Sequence, residues 1–280
     1  MSDRLVADCG STKCAWALLR ADGSGERFVS AGMNPAVLDL AALEALLREG
    51  LSGLGRPGDV GEVWFYGAGC AGEGAERMRS ALARLLPGAD VEVSSDLLGA
   101  ARALFGDAAG VACILGTGSN SGYYDGREIV RNVRPMGFII GDEGSGASIG
   151  RTVLNQYYKG WLDESTRRDF EREFPALTYD EVIRRVYREP GGNRFLASFA
   201  PFAAAHMADR RLAERVDEGF AAFFRESLAA YPADLPVGFA GSLASAFAPR
   251  LRGLLGERRT TFVPSPLEAL AAYHAGFARE

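Results

Sequence analysis

The sequence predicts an α/β chain that runs the same plan twice. Three observations carry this expectation. Short apolar, β-rich runs alternate with amphipathic helical stretches. Two of those runs end in small-residue turns, Asp8-Cys9-Gly10-Ser11-Thr12-Lys13 and Gly116-Thr117-Gly118-Ser119-Asn120. Each turn leads into a second short strand. The chain has 280 residues, 48% of them hydrophobic, so it can bury one large core or two smaller ones.

The first half opens with strand Leu5-Val6-Ala7, the first glycine-rich turn and strand Cys14 to Leu19. A turn with Asp22-Gly23 and Gly25 leads to a third strand around Arg27-Phe28-Val29, completing an antiparallel meander. Leu40, Leu43, Leu46 and Leu47 share one face of a helix expected over about Leu38 to Leu54. Strand Glu62 to Tyr66, a helix around Ala75 to Leu86 and strand Val91-Glu92-Val93 follow, and Ser94-Ser95-Asp96 opens another helix. The second half restarts with strand Val111 to Leu115 and the second turn. Tyr123-Tyr124, the Asp125-Gly126 turn, Ile129-Val130 and Asn132-Val133 continue the meander. A long helical region is expected over about Gly146 to Tyr231, then strands Val237 to Ala240 and Thr261 to Val263, and a last helix from Pro266. The expected domains are 1–106 and 107–265, with the helix over 266–280 packing back on the first. Related α/β halves would bind a ligand at their strand ends.

Composition narrows the function. The net charge of −5 forms no basic stripe, so nucleic acid is not an expected partner. No apolar run approaches the roughly 20 residues that span a bilayer, so no membrane partner is expected. No basic leader followed by an apolar stretch is visible, and the expected compartment is the cytoplasm. Cys9, Cys14, Cys70 and Cys113 match no common zinc or disulfide spacing and read as reduced structural thiols. His206 and His274 sit in helical patterns and read as packed or solvated helix residues. Only Lys13 and Lys159 are lysine among the Lys and Arg residues, so Lys13 within a glycine-rich turn is either a retained ligand contact or a solvated turn residue.

The first turn joins two strands, whereas a Walker loop runs from strand to helix with Gly-Lys-Ser/Thr. The physics is shared: glycine lets a backbone approach an anion, and successive N–H groups form an anion-binding concavity. Ser11 and Thr12 add hydroxyl donors, and Asp8 at the strand end can reach a Mg²⁺ through water. An ordinary hairpin is the alternative. The second turn repeats the logic, and Gly241-Ser242-Leu243-Ala244 makes a third small-residue turn with room for an adenine ring and ribose.

These segments, with Met33-Asn34-Pro35, Phe65-Tyr66-Gly67-Ala68-Gly69-Cys70, Ser95-Asp96 and Gly141-Asp142-Glu143-Gly144-Ser145-Gly146, resemble the N-acetylglucosamine kinase branch of the acetate and sugar kinase, Hsp70 and actin superfamily, close to its short bacterial members grouped with the benzoyl-CoA reductase activator ATPases. The resemblance spans nearly the whole chain and implies two duplicated ribonuclease H-like (actin-like ATPase) domains around a nucleotide cleft. It implies that Asp96 is the catalytic base. Asn34, Ser119, Asn120 and Asp142 would hold the sugar. Asp8, Gly10, Ser11, Thr12, Lys13, Thr117, Gly118, Gly241 and Ser242 would meet the nucleotide, with ATP and Mg²⁺ as cofactors. The residues leave other readings open: Asp96 as a helix N-cap, Asn34 and Asn120 as turn residues, Asp142 as a cap on the helix from Gly146. Some relatives carry an acid in place of Ala15 and a glycine in place of Ala269.

The implied reaction is in-line transfer of the ATP γ-phosphoryl group to an amino-sugar hydroxyl, O6 of N-acetylglucosamine being expected. N-acetylmuramate and glucosamine kinases are alternatives. So is an ATPase activator of the benzoyl-CoA reductase or 2-hydroxyacyl-CoA dehydratase type, which needs cysteines placed to share an iron–sulfur cluster. Phe220, Phe223 and Phe224 read either as a core stripe or as part of a homodimer surface.

Overall fold

The computed structural model describes residues 2–55 and 57–276. The chain folds as two compact units, residues 1–108 with 124–129 and 265–280, and residues 109–123 with 130–264. The end of the helix expected over 266–280, residues 277–280, lies outside the described residues.

The first unit holds β1 (Asp3–Cys9), β2 (Lys13–Leu19), β3 (Gly25–Ala31), β4 (Val60–Gly67) and β5 (Asp90–Ser95), in the order β3-β2-β1-β4-β5. β1 pairs antiparallel with β2 and parallel with β4, which pairs parallel with β5. β1 is central, and Leu5, Val6 and Ala7 are fully buried. β3 is an edge and is largely exposed. Side chains alternate across the sheet. Leu5, Ala7, Cys9, Trp16 and Phe65 face the layer built by α1 (Leu40–Gly50) and α2 (Glu73–Leu85). Val6, Ala15, Ala17, Trp64 and Tyr66 face α3 (Asp96–Phe105) and α13 (Leu267–Ala275), whose Leu267, Leu270 and Ala271 are buried with them. His274 is buried on α13, stacks on Trp64 and meets the Tyr66 hydroxyl through Nε2 at 2.8 Å.

The helix expected over Leu38 to Leu54 is shorter. Asp39 accepts from the Ala42 N–H at 2.8 Å, so the helix starts at Leu40. It ends at Gly50, although Leu51 and Leu54 stay buried. Their apolar spacing continues into a turn, which is why periodicity alone overran the end.

The second unit carries β6 (Gly110–Leu115), β7 (Ser119–Tyr124), β8 (Ile129–Val133), β9 (Val237–Ala240) and β10 (Thr260–Val263), in the order β10-β9-β6-β7-β8. That is the order of the first sheet read from its other edge. The long helical region is several helices: after the short α4 (Gly137–Ile140) come α5 (Gly146–Tyr158), α6 (Glu164–Glu173), α7 (Tyr179–Tyr187), α8 (Gly192–Ala197), α9 (Ala200–Ala205) and α10 (Arg210–Glu226). α11 (Ser242–Ala246) and α12 (Ala248–Leu255) follow β9. Phe170, Phe199, Phe202, Phe220, Phe223, Phe239 and Phe247 centre this core. Phe220 and Phe223 are buried and Phe224 packs against this core, so the phenylalanines of α10 form a core stripe. α5 and α8 approach so closely that a Cβ on Gly150 would sit 1.7 Å from the Leu196 carbonyl oxygen.

Candidate functional site

The candidate residues fall into one group in each unit. In the first, Gly10 to Thr12 link β1 to β2, and Lys13 is already the first residue of β2 rather than a turn residue. The Gly10 N–H donates to the Lys13 carbonyl at 2.9 Å, and the Gly32 N–H donates to the Thr12 carbonyl at 3.1 Å. Residues 10–13 are exposed, and the Ser11 and Thr12 N–H groups make no hydrogen bond among the described residues. Such a turn offers donors to an anion. Gly10 itself is uncrowded, whereas a Cβ on Gly32 would lie 2.4 Å from the Gly10 carbonyl oxygen and 2.5 Å from Lys13 N. Gly32 therefore sets the turn's shape. It escaped the sequence reading because it stands twenty residues away, its one signal being its place just before Met33-Asn34-Pro35.

Asp8 lies level with Ala15 on one side and Tyr66 on the other, and Tyr66 is level with Ser94. Asp8 thus projects on the face that α3 covers, and α3 begins two residues beyond Ser94. The cap of α3 is Ser95, whose Oγ accepts from the Leu98 N–H at 3.2 Å. Asp96 is relieved of that duty: its Oδ1 accepts from the Leu97 N–H at 2.9 Å, and its Oδ2 makes no hydrogen bond among the described residues. Both carboxylates are half-buried. Burial, then the Asp96 charge, pushes the Asp8 carboxyl up to about 6, while Lys13 opposes the rise. Burial also raises Asp96, against the Leu97 N–H bond. Gly99 fixes the seat of α3, because a Cβ there would meet Tyr66 at 2.7 Å.

Asn34 does serve as a turn residue, its Oδ1 accepting from the Ala36 N–H at 2.9 Å. Its Nδ2 also donates to Ser11 Oγ at 3.4 Å, tying it to the glycine-rich turn. Gly69, at φ +75°, is required behind it, since a Cβ would stand 2.0 Å from Asn34 Oδ1.

In the second unit the turn is tighter than expected: it spans residues 116–118, and Ser119 and Asn120 belong to β7. The Gly116 and Thr117 carbonyls accept from the Gly146 and Ala147 N–H groups at 2.8 and 3.1 Å, satisfying donors that a helix start leaves open. The Thr117 and Gly118 N–H groups make no hydrogen bond among the described residues. Ser145 caps α5, so Asp142 is not the cap. Instead Asp142 takes a left-handed backbone, φ +56°, the one non-glycine to do so among the described residues. Its Oδ1 accepts weakly from the Ser119 N–H at 3.4 Å, and a Cβ on Gly118 would lie 2.9 Å from its Oδ2. Strained backbone of this kind concentrates at functional sites. Burial raises the Asp142 pKa. Asn120 Oδ1 accepts from Asn132 Nδ2 at 2.9 Å, a partner the sequence reading did not single out. Gly241, at φ +118°, passes so close to β6 that a Cβ would be 2.5 Å from the Leu115 carbonyl oxygen. Ser242 is the exposed first residue of α11.

No family model and no curated protein matches the chain. Among solved structures, a candidate N-acetylglucosamine kinase from Porphyromonas gingivalis is 41% identical, with a TM-score of 0.92 over 96% of this chain and 98% of its own. The chain belongs to the N-acetylglucosamine kinase-like family. A second candidate N-acetylglucosamine kinase, from Chromobacterium violaceum, is 19% identical at a TM-score of 0.72, covering 98% of each chain. MreB 5 of Spiroplasma citri, solved with AMPPNP, is 10% identical at a TM-score of 0.50 over 100% of this chain and 96% of its own. At those identities the likeness concerns the fold, which is the actin-like ATPase fold.

In this N-acetylglucosamine kinase-like chain, all four cysteines are buried and unpaired. Burial raises the thiols of Cys14, Cys70 and Cys113, Cys70 to about 12. No set of three His, Cys, Asp or Glu side chains converges on a metal position among the described residues. Mg²⁺ is commonly held by one or two carboxylates, waters and substrate phosphates rather than by an all-protein cage. Asp8, a half-buried oxygen donor beside an open turn, suits that mode. No helix among the described residues is long and apolar enough to cross a membrane.

Proposed function

We propose that the chain is an ATP-dependent sugar kinase acting on an amino sugar, with N-acetylglucosamine as acceptor and O6 as the hydroxyl phosphorylated. The observation that carries the reading is Asp96. Ser95 takes the helix cap and leaves the Asp96 carboxylate half-buried, with a raised pKa and one oxygen free of hydrogen bonds among the described residues. A general base needs that accessibility and an elevated affinity for protons. The likeness to the Porphyromonas gingivalis protein supports the choice of sugar.

In this reading Asp96 orients the acceptor hydroxyl and takes its proton as the phosphoryl group transfers. Such catalysis rests on positioning and electrostatics. The Ser11, Thr12, Thr117 and Gly118 N–H groups and the Ser11 and Thr12 hydroxyls receive phosphate oxygens, with Gly10 and Lys13 beside them. Asp8 would hold Mg²⁺, which would offset charge on the phosphates. Gly241 and Ser242 border the nucleoside, while Asn34, Ser119, Asn120 and Asp142 hold the sugar. Asn34 and Asn120 would do so through Nδ2, since each Oδ1 already accepts a backbone or side-chain hydrogen bond. The working compartment is the cytoplasm.

The activator alternative requires accessible thiolates, and the burial of the four cysteines weighs against it. A coupled assay of ADP release over a panel of amino sugars and their N-acetyl forms tests the proposal. N-acetylglucosamine is expected to give the highest kcat/KM. Absence of sugar-dependent ADP release, or a stoichiometric iron–sulfur cluster in the purified protein, would overturn it.

A further inference from the structure

A second polar site lies between α5 and α10 in the second unit. Two adjoining cavities of about 320 and 380 Å³ share Gln156, Trp161 and Arg215 in their walls. Gln156 is the unusual member. It is only 3% exposed, yet its side-chain amide makes no hydrogen bond among the described residues. Nor is it one of the side chains whose unpartnered atoms are sealed from solvent, so the amide retains contact with the groove. A nearly buried amide that still reaches the groove is free to meet a polar group there.

The charges around it are unbalanced. Arg151, Lys159 and Arg211 line the two cavities and have no carboxylate partner among the described residues, whereas Arg215 is paired with Glu218. Glu214 is held by Arg210, which leaves Glu143 as the one unpaired anion in the walls among the described residues. The groove is therefore locally basic on a chain whose net charge is −5. Lys159 Nζ sits 4.8 Å from the centre of the Trp161 ring, which fixes one wall.

We propose that this groove binds a small phosphate monoester that also carries hydroxyl groups, a sugar phosphate in chemical class. Arg151, Lys159 and Arg211 would take the phosphate, for which guanidinium and ammonium donors are suited. The Gln156 amide would take hydroxyl groups, its Nε2 donating and its Oε1 accepting. The proposal does not depend on the kinase reading, because it concerns binding alone.

Titration of the full chain with glucosamine 6-phosphate, followed by calorimetry and by tryptophan fluorescence, tests it. Trp16 and Trp64 are buried, so a change lost in Trp161→Phe reports this groove. The exposed pair Arg151→Ala/Lys159→Ala is expected to weaken binding about tenfold or more, the equivalent of one lost charge-assisted hydrogen bond. It should leave sugar-dependent ADP release unchanged at low ligand. Gln156→Leu is expected to weaken glucosamine 6-phosphate while sparing inorganic phosphate, and glucosamine alone should bind far more weakly. Unchanged affinity in the double variant, no Trp161 signal, or equal binding of glucosamine and its phosphate would each overturn the proposal. If Gln156→Leu fails to fold, the double variant still decides.

Discussion

Asp8 and Asp96 each hold a proton more tightly than an isolated carboxyl does, and the two shifts have different consequences. For Asp96 the raised pKa means that the basic form is reached at higher pH than usual. Turnover should therefore climb as pH rises through its titration. Asp96→Asn is expected to cut kcat by about a hundredfold or more, in line with the usual worth of a general base, and to abolish that limb while circular dichroism stays unchanged. For Asp8 the effect is on stability. Its folded-state pKa of about 6 exceeds the unfolded 3.8, so the folded state binds the proton more tightly. Below pH 3.8 both states are protonated and there is no penalty. Between 3.8 and 6 the penalty grows, and above 6 it is complete. Asp8→Asn should thus stabilise the protein by about 1–2 kcal/mol at about pH 7, discounted for partial solvent contact, and by almost nothing below about pH 4. Denaturant melts at the two pH values read the difference, and a larger gain at low pH would refute the burial penalty assigned to Asp8. Ala15 sits directly opposite Asp8, so Ala15→Asp would add a second charge beside it.

At the scale of elements, glycines decide where backbones meet. Gly32→Ala would drive a Cβ into the turn of residues 10–13, with an expected loss of about 1–3 kcal/mol and a marked rise in KM for ATP. Gly150→Ala places a Cβ against the Leu196 carbonyl, and α5 cannot then approach α8. A cost of about 2 kcal/mol or more is expected, measured by chemical denaturation, with nucleotide affinity less affected than in Gly32→Ala. These two positions also mark the limit of what was legible in the chain. Strand ends and the turn at Gly10 could be read because apolar runs and small-residue turns are local signals. So could the opening of α3, since Ser95-Asp96 before Leu97-Leu98 is a cap pattern. Gly32, Gly99 and Gly150 could not, because each is small to suit a neighbour distant in sequence. Asn120 read as a turn residue because Gly118 and Ser119 precede it, whereas its place in β7 depends on pairing with β8 and on Asn132. The Leu51 and Leu54 overrun of α1 has the opposite cause: apolar spacing persisted where the backbone had already turned.

For the molecule as a whole, the two sheets share one strand order, yet they are completed differently. The first sheet's α3 face is covered in part by α13, from the far end of the chain, while the second unit fills its core from its own helices. A chain ending at Pro264 should therefore leave Val6, Ala17 and Trp64 uncovered. It is expected to bind a hydrophobic dye and to melt well below the full chain, and equal melting temperatures would contradict the role given to α13.

The buried seat of Leu267, Leu270 and Ala271 also carries a message about birth order. The strands of the first sheet are finished by a helix made much later, and 161 residues separate the end of α3 from the start of α13. At ordinary elongation rates that gap lasts about 10–30 seconds. During it the nascent first unit must shelter an apolar face it cannot yet close, so a chaperone should hold the growing chain until α13 has emerged.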